Sequence, residues 1–283
     1  MIVCDLCGSD KARHILDSAN LDGPLMRCSV CGLYYVGSRR FQLAFGTESP
    51  EIVVERVRQA NCGFQNLRLE EEHRLAVLNA RWRLAIIRGF CSSGRLLEVG
   101  CARGDFLSVA RESFTVYGVE PNPELAEGAR RIAPIHQGLV ETLPDEDFDV
   151  AVSFHVIEHV DSPKRFIRAM AQRVRPGGFV VIETPNIESF PFKLFRSRWR
   201  EFIPEHYYFF SPKTIQQLME VEGLRMERVL HVGKHASVEL ILNRLGRYSG
   251  LFSSVATLAQ RSGLSALTFK IDPRDIMLVV AKK

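Results

Sequence analysis

LLEVGCARGDF, residues 96–106, is the stretch of the chain that decides the fold. It opens as a short apolar strand candidate, and the segment from Gly100 to Gly104 is a tight turn into an apparent helix. A glycine turn between a strand and a helix brings the backbone close to a ligand. The dinucleotide-binding fingerprint Gly-x-Gly-x-x-Gly is absent, because Ala102 and Asp105 occupy its second and third glycine positions. The segment from Gly100 to Gly104 therefore predicts a ligand-binding loop of a different kind from the dinucleotide-binding loop.

Short apolar segments alternate with helical stretches on either side of this turn. The strand candidates are residues 96–99, 116–119, 132–136, 148–154 and 179–184. Such alternation favours a parallel, doubly wound sheet. The two last strand candidates, 225–232 and 276–281, have no clear crossover helix, so we expect them to close the sheet as an antiparallel hairpin. The predicted fold is an α/β, Rossmann-like, mostly parallel sheet with an antiparallel C-terminal strand.

Four of the seven cysteines form two pairs near the N-terminus, each followed by a glycine. The pairs are Cys4-x-x-Cys7 and Cys28-x-x-Cys31. Each pair places two thiolates at one turn, and two such turns close a tetrahedral zinc site. Four thiolates fill the coordination sphere of the metal, so the predicted ribbon binds structural Zn²⁺. Free cysteines and a redox pair are the alternatives.

Composition limits the class of protein. The chain has 283 residues, 46% of them hydrophobic and 25% charged, which is ordinary for a soluble globular protein. A formal charge of +4 is too mild to argue for nucleic acid or a membrane surface. We expect no signal peptide and no membrane span, since neither pattern occurs. The expected location is the cytoplasm, where cysteines stay reduced.

Five segments in order resemble the class I S-adenosylmethionine-dependent methyltransferases. They are LLEVGCARGDF, YGVEPN, HQGLVETLP, FDVAVSFHVIEHV and RPGGFVVIETPN. The likeness covers the chain from about Gly94 onward and implies methyl transfer from S-adenosylmethionine. The division that follows is a zinc ribbon at 1–40, a helical connector at 41–93 and a methyltransferase domain at 94–283. A helical insertion at 235–272 is a candidate lid.

The resemblance also implies a cofactor site. The turn from Gly100 to Gly104 would pass along the methionine portion, with Glu98 below it. Glu120 would hold the ribose, as a carboxylate at a strand end can, and Phe154 would close one side of the adenine site. The implied cofactor-binding residues are Glu98, Gly100, Cys101, Ala102, Gly104, Glu120, Leu139, Val140 and Phe154.

Two positions depart from the pattern of the family. Ala102 replaces a usual glycine, a change that the loop should tolerate. Leu139 stands where many relatives carry an acidic or polar residue that bonds the adenine amine; Glu141 takes that role or none.

The segment His155-x-x-Glu158-His159 has a spacing that some zinc peptidases use. A peptidase would need a third ligand, and it would not explain the cofactor motifs. The segment resembles both ubiquinone-pathway O-methyltransferases and small-RNA 2′-O-methyltransferases, which use a Glu-x-x-Glu-His metal site. His155 replaces the first glutamate here, so a second metal at these residues and His206 stays open.

Histidines are the candidate bases. An alcohol or amine acceptor must lose a proton, and a histidine that titrates near neutrality suits that role. The candidates, in order, are His159, His155 and His206. The alternative is that Glu158 caps a helix or forms an ion pair, and that His159 is a histidine packed in the protein interior.

The segment after the fifth strand, residues 190–214, is expected to shape the acceptor site, since open α/β sheets bind ligands at this face. Its arginines could clasp a phosphate and its aromatics could stack a ring; a solvated basic face is the alternative. The candidate substrate residues are Arg196, Arg198, Arg200 and Tyr207. Apolar positions within 235–272 predict two short helices. These helices would form a lid or a dimer surface, or would simply pack on the domain.

Three functional classes remain. The first is methyl transfer to a small molecule, such as a sugar nucleotide, a polysaccharide precursor or a natural-product intermediate. The second is an RNA methyltransferase that grips RNA with the ribbon, but acidic and basic residues balance across residues 1–60. The third is a non-catalytic cofactor-binding or interaction protein. The acceptor atom and the oligomeric state are left open.

Overall fold

The computed structural model describes residues 2–38, 69–144, 147–238, 240–242 and 267–283. Side chains of the first helix are described from residue 73 onward. Within these ranges, no helix is long and apolar enough to span a bilayer.

Strands and helices alternate through the middle of the chain. The strands are β1 (Ala12–Leu16), β2 (Leu25–Cys28), β3 (Tyr34–Val36), β4 (Gly94–Val99), β5 (Phe114–Val119), β6 (Ile135–His136), β7 (Phe148–Phe154), β8 (Val174–Pro185), β9 (Tyr208–Phe209), β10 (Arg225–His231), β11 (Lys234–Ser237), β12 (Thr268–Ile271) and β13 (Ile276–Lys282). The helices are α1 (Leu69–Arg88), α2 (Asp105–Ala110), α3 (Pro123–Ala129), α4 (Pro163–Arg173), α5 (Phe190–Phe195) and α6 (Pro212–Val221).

The main sheet has seven strands in the order β10-β13-β8-β7-β4-β5-β6. The pairs β4–β5, β4–β7, β5–β6 and β7–β8 are parallel, whereas β13 runs antiparallel to both β8 and β10. The predicted Rossmann-like α/β sheet with an antiparallel C-terminal strand is confirmed. Because the parallel strands share one direction, the carboxyl ends of β4, β5, β7 and β8 lie at the same edge.

Apolar side chains cover both faces of this sheet. On one face Leu97 and Val99 pack in a cluster with Ile167 and Met170 of α4. On the other face a second cluster unites strand residues with α1 and α2. Its helical members include Leu84, Ile87 and Leu107. Burial on both faces explains why these strands have continuous apolar runs rather than alternating ones.

A second sheet joins the N-terminal segment to the methyltransferase region. Its order is β1-β2-β3-β9, and every pairing in it is antiparallel. The first three strands lie within residues 12–36, but β9 comes from residues 208–209. Residues 39–68 lie outside the described ranges, so a domain boundary at residue 40 stays a prediction.

The predicted helical insertion at 235–272 has strands at both ends. β11 and β12 form an antiparallel ribbon in which Lys234 pairs with Ile271 and Ser237 with Thr268. A helical segment begins at Val238, and residues 243–266 lie outside the described ranges. The helical periodicity missed the ribbon because its pairing joins residues that are far apart in the chain.

Candidate active site

The turn after β4 is built from residues with left-handed backbone. Gly100 has a φ of 78° and Gly104 a φ of 81°. A Cβ added at Gly100 would collide with the side chain of Val156, which follows β7. Glycine is therefore required at position 100 both for its backbone conformation and for the close approach of a neighbouring turn.

Ala102 adopts the same left-handed region, with a φ of 47°. This conformation is strained for a residue with a Cβ. The Ala102→Gly variant should therefore unfold at a higher temperature, with a gain of about 1 kcal/mol in the free energy of unfolding. Thermal denaturation checks this, with Ala133→Gly, at a buried position outside the left-handed region, as the control that should lose stability. An equal loss in both variants would contradict strain at Ala102.

Glu120 joins the end of β5 to this turn. Its Oε2 accepts a hydrogen bond from the Ala102 N–H at 2.9 Å, and its Oε1 accepts one from the Asn122 N–H at 2.9 Å. The carboxylate is buried, and burial raises its pKa although the two N–H donors oppose that shift. A carboxylate oxygen has more than one acceptor position, so Glu120 can still accept the hydroxyls of a ribose.

Glu98 lies at the end of β4. Burial raises its pKa well above the usual range, while Arg83 acts in the opposite direction. Its Oε2 is buried without a hydrogen-bond partner. An orphaned buried oxygen just before the turn from Gly100 to Gly104 fits a site that receives a polar ligand group. With Glu120 and the glycine turn, this oxygen is consistent with S-adenosylmethionine.

The remaining predicted cofactor residues surround the same edge. Phe154 ends β7; its ring lies 4.8 Å from that of Phe106 and 4.4 Å below the Arg83 guanidinium. Val140 is buried and Leu139 half-buried, at the start of a short 3₁₀ helix. The predicted residues Cys101 and Glu141 behave differently. The Cys101 side chain packs in the core, so only its backbone takes part in the turn, and Glu141 is exposed.

His155 follows β7 and has a φ of 56°. Its Nδ1 lies 3.0 Å from Glu158 Oε1, and its Nε2 lies 2.9 Å from Glu183 Oε1. Lys234 Nζ also lies 2.6 Å from Nε2. Burial and Lys234 act to lower the pKa of His155, but the two carboxylates outweigh them and raise it. The raised pKa favours the protonated ring, and both ring nitrogens face carboxylates, so His155 offers no free lone pair to the proton of an acceptor.

Glu183 and Arg83 extend this polar network. The Arg83 guanidinium donates to both Glu183 oxygens, at 2.8 and 2.6 Å. Burial opposes ionisation of Glu183, yet Arg83 and His155 hold its pKa well below the usual range. The sequence interpretation missed Arg83, Glu183 and Lys234. A carboxylate within the apolar run of β8 was the available signal, since a buried charge needs a partner.

His159 and His206 form a pair beside Glu158. Their ring centroids lie 4.5 Å apart at an interplanar angle of 73°. His159 Nδ1 lies 3.0 Å from the carbonyl oxygen of Glu205, and His206 Nδ1 lies 2.7 Å from that of Glu201. Each Nδ1–H donates to a carbonyl, so each Nε2 keeps its lone pair. Burial lowers the pKa of His159, and it lowers that of His206 to about 3.

Glu158 accepts two hydrogen bonds at the centre of this site. Its Oε1 faces His155, and its Oε2 accepts from the Thr184 hydroxyl at 3.0 Å. Burial opposes its ionisation, but His155, His206 and His159 together outweigh burial and lower the Glu158 pKa to about 2. One ligand atom each of Glu158, His159 and His206 lies within 4.8 Å of the others. Since both Glu158 oxygens have donors, the structure pairs this carboxylate within the protein, as the packing alternative expected.

The predicted substrate residues lie in different environments. Arg200 donates to both Asp275 oxygens, at 2.7 and 2.9 Å. Arg196 and Arg198 are exposed, whereas Tyr207 is buried and donates its N–H to the Glu158 carbonyl at 2.8 Å. Arg196 and Arg198 thus remain candidates for an acceptor phosphate, while Arg200 and Tyr207 make internal contacts.

The four paired cysteines come together as predicted. Cys4 Sγ lies 3.5 Å from Cys31 Sγ, and Cys7 Sγ lies 3.5 Å from Cys28 Sγ. All four sulfurs lie within 4.8 Å of one another. A tetrahedral zinc with bonds of about 2.3 Å needs sulfurs about 3.8 Å apart, so the cluster fits the metal.

The pKa values of the clustered thiols also suit a bound metal. Burial acts to raise the pKa of Cys28, but the N–H groups of Cys31 and Val30 outweigh it and lower that pKa to about 7. Burial raises the pKa of Cys4. A bound cation would compensate for the cost of ionising such buried thiols.

The sheet order, the glycine turn and the strand-end carboxylates define the class I S-adenosylmethionine-dependent methyltransferase fold. Residues 72–229 match the family model described as "Methyltransferase domain". This stretch is more than half of the chain, and the chain belongs to that family.

Known proteins support the same assignment. The chain is 28% identical over 159 residues to the mitochondrial ubiquinone biosynthesis O-methyltransferase of Rattus norvegicus, covering 49% of this chain and 46% of the relative. It is 30% identical over 151 residues to a probable S-adenosylmethionine-dependent methyltransferase of Mycolicibacterium smegmatis, covering 50% and 56%. The chain thus spans about half the length of these relatives. A solved S-adenosylmethionine-dependent methyltransferase of Archaeoglobus fulgidus shares the fold, with a TM-score of 0.52, 20% identity and coverage of 76% and 97%.

Proposed function

We propose that the protein transfers a methyl group from S-adenosylmethionine to a small-molecule acceptor. The observation that carries this proposal is the cofactor half of the site, in which Glu120 accepts a hydrogen bond from the Ala102 N–H of the turn and one buried Glu98 oxygen has no partner. Membership of the methyltransferase domain family supports it.

The cofactor would supply a methyl group already activated on a sulfonium. Glu120 would accept the ribose hydroxyls, and the turn from Gly100 to Gly104 would lie along the methionine portion. Val140 and Phe154 would enclose the adenine and exclude water. Orientation of the acceptor can then supply several kcal/mol of the barrier reduction.

His159 is the proposed general base. It is less buried than His206, and in contrast to His155 it keeps one ring nitrogen without a partner in the described network. Its pKa is lowered, so the neutral form that accepts a proton is present above that lowered pKa. Activity should therefore fall on acidification only below about pH 6.5, the ordinary histidine pKa.

The His159→Ala variant should lower kcat by about 10²- to 10⁴-fold, because it removes the group that accepts the acceptor's proton. Its affinity for S-adenosylmethionine should stay the same. Steady-state kinetics over a pH series, together with equilibrium dialysis of the cofactor, measures both. His231→Ala, at an exposed position on β10, is the matched control. Equal kcat values for His159→Ala and His231→Ala would mean that His159 only packs in the protein interior.

Acceptors with a phosphate suit the edge beside α5. Phe190, Leu194 and Phe195 are exposed there, next to the exposed Arg196 and Arg198. Apolar and cationic side chains side by side are suited to an acceptor that combines a ring or chain with a phosphate. Sugar nucleotides, polysaccharide precursors and natural-product intermediates are the proposed acceptor classes.

One observation favours RNA as the second candidate. Arg13, Arg27 and Lys213 line one groove with the second cysteine pair. Cationic side chains around a groove suit phosphates of any origin, so RNA methylation with the ribbon as the grip is the alternative acceptor proposal.

Transfer of labelled methyl from S-adenosylmethionine into cell-extract fractions tests these proposals. Fractions of RNA, protein, lipid and small molecules are incubated with the parent and with Glu120→Ala. Label in the small-molecule fraction that depends on Glu120 supports the leading proposal. Label in nuclease-sensitive material would favour RNA.

A further inference from the structure

Asp5 lies inside the first cysteine pair and contacts the start of α4. Its Oδ1 accepts a hydrogen bond from the Ser162 hydroxyl at 2.7 Å, and its Oδ2 accepts one from the Lys164 N–H at 2.8 Å. Ser162 is itself the N-cap of α4. The first N–H groups of a helix lack partners within the helix, and a carboxylate there interacts favourably with the helix dipole. The first cysteine pair is therefore tied, through Asp5, to the start of α4, shortly after His159.

The second contact is through the shared sheet. Tyr34 pairs with Phe209 and Tyr35 with Tyr208, and the Val36 N–H donates to the Tyr207 carbonyl at 2.9 Å. β9 begins directly after the segment that contains His206 and Tyr207. The module therefore holds the chain that places His206.

The two contacted segments also bind each other. The N–H of Tyr207 donates to the Glu158 carbonyl at 2.8 Å, and the hydroxyl of Tyr208 donates to the Asp161 carbonyl at 2.8 Å. Apolar side chains fill the space between them and the module. This cluster includes Cys4, Cys28, Leu33, Tyr35, Ile157, Tyr207 and Tyr208. The segments that carry His159 and His206 thus bind both each other and the module.

We propose that the four-cysteine module is a structural part of the acceptor site, and that Asp5 is a positioning residue for the His159–His206 pair. The catalytic meaning of this pair rests on the proposed function; the positioning does not. The cofactor half is built separately, from the turn after β4 and from Glu120 at the end of β5. Loss of the Asp5 contacts should therefore disturb the histidines and spare cofactor binding.

The test compares Asp5→Ala with Asp10→Ala, which changes an exposed aspartate of the same module. The readouts are the imidazole NMR signals of His159 and His206 across a pH series, and hydrogen exchange of residues 155–162 and 203–209. In Asp5→Ala we expect shifted imidazole resonances of both histidines and about tenfold faster exchange in both segments, since charged hydrogen bonds are lost. Asp10→Ala should match the parent, and affinity for S-adenosylmethionine should stay within about twofold in both.

Unchanged histidine signals and unchanged exchange in Asp5→Ala would overturn the proposal. If Asp5→Ala does not fold, Asp5→Asn is measured in the same way. Its amide can accept from only one of the two donors, so intermediate changes are expected, and parent-like values would overturn the proposal there as well. None of these readouts needs an acceptor. A parent protein that binds no cofactor would therefore contradict the proposed function alone.

Discussion

Cys28→Ala should abolish zinc binding and lower the free energy of unfolding by about 5 kcal/mol or more, which corresponds to a loss of upward of about 10 °C in melting temperature. The reason is the placement of Cys28. It is buried at the end of β2, in the sheet that β9 completes, and its sulfur lies 3.5 Å from that of Cys7. Loss of one thiolate would therefore open the proposed metal site and weaken a sheet shared with the methyltransferase region.

Metal content by mass spectrometry and thermal unfolding measure this effect. Cys91→Ala is the matched control, because Cys91 lies outside the cysteine cluster and bonds the Ser93 carbonyl. The parent and the control should carry one zinc per chain. A Cys28→Ala protein with the melting temperature of the parent, or a parent without zinc, would contradict a structural metal.

Glu120→Ala should weaken S-adenosylmethionine binding by about 100-fold or more, since charged hydrogen bonds contribute about 1.5–3 kcal/mol each. The variant removes the acceptor proposed for the ribose hydroxyls. It also releases the Ala102 N–H that Glu120 holds at 2.9 Å. Both losses act on the cofactor rather than on the acceptor.

Equilibrium dialysis of labelled S-adenosylmethionine gives the affinity. Glu112→Ala, at an exposed glutamate just beyond α2, controls for loss of a negative charge. The affinity of Glu120→Gln for S-adenosylmethionine should lie between those of Glu120→Ala and Glu112→Ala, because an amide keeps one oxygen acceptor. If Glu120→Ala binds as tightly as Glu112→Ala, the cofactor does not lie at the end of β5.

Local patterns predicted the parts of this structure that depend on local physics. The strands of the parallel sheet are buried on both faces, so each appears in the sequence as an apolar run between turns. The clustering of the four cysteines was predicted from the spacing within each pair and from the four ligands that a structural zinc would need. The turn at Gly100 requires glycine for reasons of backbone conformation, which the sequence displays directly.

Contacts between distant parts of the chain were not predictable in the same way. Arg83 and Glu183 are 100 residues apart, and helical periodicity places Arg83 on α1 without naming its partner. β9 has only two residues, too few for a strand pattern, yet it joins the module to the segment that carries His206. The residue that links the cysteines to α4, Asp5, looks in the sequence like an ordinary exposed acid. Its role appears only once Ser162 is placed beside it.

Formation of S-adenosylhomocysteine tests the central claim most directly. The protein is incubated with S-adenosylmethionine and the small-molecule fraction of an extract, and the product is quantified by mass spectrometry for the parent, His159→Ala and Glu120→Ala. The account predicts product from the parent, little from His159→Ala despite normal cofactor binding, and none above background from Glu120→Ala. A parent that binds S-adenosylmethionine and forms no S-adenosylhomocysteine with the small-molecule fraction would contradict methyl transfer to a small molecule.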